Sequence, residues 1–236
     1  MGRRRFFEKH DGEALGPALE NSRRCYAPPM EEARKIREFW FGKLPMGPDD
    51  LNRRMQLWYG GGLSDEERQD WDESIRDQFE PLVRQAILGE LAAWGDGPRR
   101  RMSLILLLDQ FPRNLYRGQA RQFAGDEQAL ALALSGMNSG ADAALDVVER
   151  MFFYMPLQHS EARDVQDESV AAYRRLLMEA PLPLKSTFQL SLDYAERHRA
   201  VIGRFGRFPH RNRMLGRPSS PEEVTYMASG GEDFSK

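Results

Sequence analysis

From Met30 onward the apolar residues of this chain recur every three or four positions, and no stretch alternates apolar with polar as a half-buried strand would. Ile36, Phe39 and Trp40 mark one helix face, which Gly42 ends, and a linker rich in Gly, Pro and Asp is expected to follow. Ser64 with Glu67 three residues on is a capping-box pattern, opening a helix that carries Trp71, Ile75, Phe79, Leu82 and Ala86 inward. Pro81 inside that run predicts a kink or a break. A helix after Pro98 carries Met102, Ile105, Leu106 and Leu108, and Pro112 is expected to end or bend it. Further helices are expected over 126–137, over 141–154 with a stop near Pro156, from a Ser160 cap to about Glu179, and over 184–205. Ser220-Pro221-Glu222-Glu223 starts another with proline at its first position. With no Asn-Gly hairpin signal, the pattern predicts an all-α single domain of about eight antiparallel helices.

The 236 residues suffice to bury a core without disulfides or metal. A net charge of −2 argues against a dedicated nucleic-acid binder, which needs a basic excess. Cys25 is the single cysteine, so no intrachain disulfide or cysteine zinc site can form, and a reducing, cytoplasmic setting is expected. The longest apolar run, Leu104 to Leu108, falls far short of the ~18–20 residues of a membrane span. Arg3, Arg4 and Arg5 are followed by no apolar segment of secretory-signal length. Residues 1–29, with Gly12, Gly16, Pro17, Pro28 and Pro29, read as a disordered leader, and Met30 as an alternative start. The helical domain is expected over 30–230 and a flexible tail over 231–236.

Three short segments concentrate the chemistry. In the first, Asp109 to Arg117, Arg113 and Arg117 present guanidinium forks suited to carboxylate or phosphate, with Asp109 and Asn114 beside them. The competing reading pairs Asp109 with Arg113 at i, i+4 and uses Asn114 as a cap. In the second, His159 is a candidate general acid or base with Glu161 tuning it. Ser160 lacks the Gly-x-Ser-x-Gly surroundings of a nucleophile, and capping is the competing role. The third, Phe205 to Arg217, packs Arg207, His210, Arg211, Asn212, Arg213 and Arg217 into a loop delivered by the helix of His198. It suits an anionic ligand, or arginines locked onto helix C-terminal carbonyls. A metal held by His159, His198, His210 and a carboxylate from Asp109 or Glu161 is conceivable only through tertiary convergence, since no metal-ligand spacing exists. No metal or cofactor is assigned. Phe111-Pro112-Arg113-Asn114 echoes Phe208-Pro209-His210-Arg211-Asn212, as a recurring corner or a pair of ligand arms. Trp40, Trp58, Trp71, Trp94, Phe152 and Phe153 read as core.

These segments, with Trp40-Phe41-Gly42, Gly89-Glu90-Leu91 and Trp94, Pro156, Leu215 and Gly216, resemble the family called domain of unknown function 924, from Ile36 to about Met227. The resemblance implies a fold similar to tetratricopeptide repeats and no established activity. Three functional readings stay open. The first is a module binding a small anionic ligand or peptide carboxylate through Arg113, Arg211 and Arg217. The second is an enzyme using His159 or His210 as acid or base, with Asp109 or Glu161 as orienter, possible metal assistance included. The third makes all three segments structural anchors.

Overall fold

The computed structural model describes residues 30–234, so the leader read over 1–29 lies outside them. Among the described residues the chain is helical and contains no strand. Helix α1 (Met30–Phe41) buries Ile36, Trp40 and Phe41. The stretch expected to be a linker holds a further helix, α2 (Pro48–Tyr59). Pro48 opens it with Asp49 and Asp50 in its first turn, where carboxylates suit the helix dipole, and Leu51, Met55 and Trp58 share one face. Gly60, at φ 67°, closes it in the left-handed conformation that glycine adopts without strain.

Helix α3 (Asp65–Ile87) starts on the expected capping box, Ser64 and Glu67 each accepting the other's backbone N–H. It runs through Pro81 without the expected break. Pro81 and Asp77, whose carbonyl loses its donor, are both exposed, so water can serve the carbonyl. Helix α4 (Pro98–Ile105) passes into a π turn, Leu106–Gln110, and then into α5 (Phe111–Leu115). Pro112 therefore starts a helix instead of ending one. The Phe111 N–H reaches back five residues to the Leu106 carbonyl, and the widened turn accommodates a proline that cannot donate.

Helix α6 (Asp126–Asn138) begins after Gly125. A Cβ at Gly125 would lie 2.4 Å from the Leu108 carbonyl oxygen, so only glycine lets α6 start against the π turn. The helix expected over 141–154 begins later, as α7 (Val147–Phe153), behind an Asp146–Glu149 capping box. It stops at Phe153, near Pro156 as expected, and Pro156 sits in the first turn of a new helix, α8 (Met155–His159). Ser160 does not cap α9 (Arg163–Glu179), which starts three residues later; its hydroxyl accepts from the Ala162 N–H. Helices α9 and α10 (Lys185–Phe205) pack as a hairpin, and α11 (Pro221–Ala228) opens on the expected Ser220–Glu223 box.

The α4–π–α5 rod is the axle of the molecule, touching α1, α3, α6 and α7. Around it Phe39, Trp40, Phe41, Phe79, Phe111 and Phe152 interlock through edge-to-face and tilted contacts. Each such ring contributes about 1.5–3 kcal/mol through burial. A separate small cluster of Val201, Ile202 and Phe208, with Phe205, Tyr226 and Phe234 against it, anchors the C-terminal corner. No helix among the described residues is long and apolar enough to cross a membrane.

Candidate functional site

The π turn sets Asp109 in the interior with no exposed surface. Its Oδ1 lies 2.6 Å from His159 Nδ1 at the end of α8, and its Oδ2 accepts from Gln110 Nε2 at 2.5 Å. Arg113, one turn on, lies 3.3 Å from Oδ1 and also donates to the Asp109 carbonyl. Burial alone would push the carboxyl up. The charges of Arg113 and His159 and the donated hydrogen bonds outweigh it and hold Asp109 below its ordinary pKa. Asp109 is therefore an acceptor only. The His159 imidazole goes the other way: burial and Arg113 lower its pKa more than Asp109 raises it. It is neutral at neutral pH, with Nδ1–H donated to Asp109 and a lone pair on Nε2. Nε2 has no partner among the described residues.

His159 borders a cavity of about 430 Å³ walled by α2, α3, α5, α8, α10 and the loop after α10. His198 and His210 line it too, so the three segments singled out in the sequence meet in one place. His198 Nδ1 is fixed on the Tyr194 carbonyl at 2.8 Å, and burial takes its pKa well below the ordinary value. His210 falls to about 4, through burial first and the neighbouring Arg211 charge second. Its Nδ1 is buried without a hydrogen-bond partner among the described residues.

Arg211 is 7% exposed and lies between the rings of Phe123 and Phe208, 4.7 and 4.6 Å from their centroids. Among the described residues its one carboxylate contact is Asp126 at 3.4 Å, and its Nε has no hydrogen-bond partner. Burial brings its pKa down to about 10, so it stays charged at neutral pH. Asp126 is held more closely by Arg113, in a two-pronged pair at 2.9 and 3.0 Å. The two echoing segments thus send Arg113 and Arg211 onto one carboxylate. Asp126 escaped the sequence reading, although its place after Gly125 at a helix start was visible.

The remaining candidates divide between the rim and a corner outside the cavity. Asn114 and Arg117 line the rim, both bound to Asp72, at 2.8 and 3.2 Å. Asn114 thus binds a side chain and does not cap a helix. Glu161 turns away from His159: it accepts from Arg217 at 2.7 and 2.9 Å and from the Phe208 N–H. Arg207 and Asn212 both bind Glu223, which is 3% exposed. These four expected site residues form a closed clamp. With Glu161 engaged there, the conceived metal set does not gather, and no group of three or more His, Cys, Asp and Glu among the described residues is placed to hold a metal ion. Trp58 and Trp71, read as core, also line the cavity, as do residues 232–234 of the expected tail.

A family model described as a bacterial protein of unknown function (DUF924) matches residues 36–231. The chain belongs to this family. A similar solved structure is that of the protein of unknown function ATU0120 from Agrobacterium tumefaciens, 33% identical, with a TM-score of 0.67 over 84% of this chain and 97% of its own. No curated protein matches the chain.

Proposed function

We propose that this DUF924 chain is an acid–base enzyme that hydrolyses a small anionic ester or amide, with His159 as general base. The observation carrying this reading is the buried Asp109 bound to His159 Nδ1 at 2.6 Å, which leaves an unpaired Nε2 at the cavity. A carboxylate behind an imidazole fixes its tautomer and stabilises the imidazolium formed when Nε2 takes a proton. The cavity's serine, Ser191, is bound to the Thr187 carbonyl at 3.0 Å, so water is assigned as the nucleophile. Nε2 takes a proton from that water, the oxygen adds to the carbonyl carbon, and His159 returns the proton to the leaving group. Arg211, underused by its own protein, supplies positive charge near the developing oxyanion.

A pure anion-binding role is less well supported, because Arg113 and Arg217 are neutralised by Asp126 and Glu161. The test is a panel of nitrophenyl esters and anilides offered to the wild type and to His159→Gln. Turnover should be lost in the variant, and its acid limb in the wild type should lie below the ordinary histidine pKa of 6.5. No turnover across the panel, or equal turnover by both proteins, would overturn the reading.

A further inference from the structure

The described end of the chain runs back over the cavity. Glu232 pairs with Arg197 at 2.5–2.7 Å, and its N–H donates to the Tyr226 hydroxyl at 2.9 Å. Two residues on, Phe234 lies flat against His198, with centroids 3.6 Å apart and planes 17° apart. Phe208 and His210 meet the same ring edge-on, at 5.9 and 5.7 Å. One face and two edges make a seat shaped for a planar aromatic ring. The seat is rigid, since His198 Nδ1 is tied to the Tyr194 carbonyl. The Arg197–Glu232 pair beside it is 45% and 30% exposed, so water and a competing carboxylate can reach it.

We propose that this seat is a ligand subsite for an aryl carboxylate, and that the chain's own Glu232–Phe234 segment occupies it as an internal mimic. The ligand's ring would replace Phe234 between His198, Phe208 and His210, and its carboxylate would replace Glu232 on Arg197. Both replaced groups border the same cavity as His159. Ligand and tail then exclude each other, so ligand affinity is reduced by the fraction of time the tail is seated. Beside the seat, His210 Nδ1 is buried with no hydrogen-bond partner among the described residues, and the Asp233 charge of the same segment acts on this ring. This inference names the substrate class for the proposed hydrolysis and rests on that reading for its chemistry, but not for its binding test.

The test is calorimetric titration of the full chain with 3-phenylpropanoate and with 3-cyclohexylpropanoate, in the wild type, Phe234→Ala and His198→Ala. The aryl acid should bind the wild type weakly and Phe234→Ala on the order of 10-fold more tightly. It should lose affinity in His198→Ala, and the cyclohexyl acid should be the weaker ligand throughout. In the wild type, the Glu232 amide resonance should shift as aryl acid is added. Equal aryl affinity in wild type and Phe234→Ala, no binding by either at millimolar ligand, or equal affinity for both acids would overturn the subsite. Any of those results leaves the His159 panel to stand or fall by itself.

Discussion

The cavity cluster and the corner clamp are built from the same kinds of residue, drawn from the same three segments. In the clamp, Glu161 and Glu223 have as many donors as they can use: Arg217 and the Phe208 N–H on one, Arg207, Asn212 and the Ser220 N–H on the other. In the cavity the matching stops short. Asp109 is satisfied, but among the described residues the buried His210 Nδ1 and Arg211 Nε have no hydrogen-bond partner, and His159 Nε2, at the cavity, has none either. Buried polar groups without partners cost stability, so a protein keeps them where something else uses them. Between these two regions residue type does not separate anchor from site; the pairing of the charged and imidazole groups does, while Arg101 Nε, Gln166 Oε1 and Ser169 Oγ are further buried atoms without partners among the described residues.

The sharpest way to break that distinction is to substitute one residue on each side. His159→Gln keeps a donor for Asp109 but no base, and turnover on any accepted ester should fall by about 10²–10⁴-fold. Its unfolding free energy should stay within about 1 kcal/mol of the wild type by urea titration. Glu223→Ala should do the reverse. It takes the carboxylate from Arg207 and Asn212 and removes the side-chain half of the α11 capping box, costing about 2–3 kcal/mol, while turnover is retained at a temperature where the variant is folded. If His159→Gln unfolds the protein and Glu223→Ala abolishes turnover, the roles are exchanged.

Acid should separate the two regions in a second way. His210 is held at about 4, below its unfolded value near 6.5, so the unfolded chain binds the extra proton first. The stability of the neutral ring is complete above about 6.5 and is lost as pH falls toward 4. Allowing for partial exposure, the loss is about 2 kcal/mol. Glu223 is held at about 2 by the Arg207 hydrogen bonds, so its contribution is complete above about 4.5 and lost only as pH falls toward 2. Chemical denaturation across this range should show two steps, and Glu223→Gln should remove the lower one only. A single step near pH 4.5, unaffected by His210→Phe, would mean that the cavity histidines are not buried in neutral form.

The helical class was legible because Ile36, Trp40, Ile75 and Phe79 repeat at the period of a helix face, and that period needs no tertiary knowledge. Helix α2 was readable in principle from Pro48, Asp49 and Asp50 ahead of Leu51, Met55 and Trp58, but the glycines and prolines around it resembled a linker. Pro81 misled because the carbonyl it leaves without a donor is exposed to water and the helix runs on, whereas Pro112 and Pro156 each follow a helix end and fall in the first turn of the next helix, where no N–H is needed. The sequence picked out Asp109, His159, His198, His210 and Arg211 as types. It could not say that Glu161, two positions from His159, turns onto Arg217 while Asp109, fifty positions away, meets the ring. That choice is made by the π turn and by the close approach at Gly125, both of which are tertiary.

The smallest effect belongs to Arg117, and it tests the comparison from its weakest side. Arg117 carries the fork that makes the first segment look like an anion clamp, and it lines the cavity rim. It is also 41% exposed and paired with Asp72, which Asn114 holds independently at 2.8 Å. Removing it leaves no buried charge stranded. Arg117→Ala should therefore change stability by no more than about 0.5 kcal/mol. It should change aryl carboxylate affinity by less than about twofold, read by the same calorimetry. A tenfold loss would require Asp72 to release Arg117 to the ligand. A rim pair would then be part of the site, and completeness of pairing in the free protein would no longer mark where the site ends.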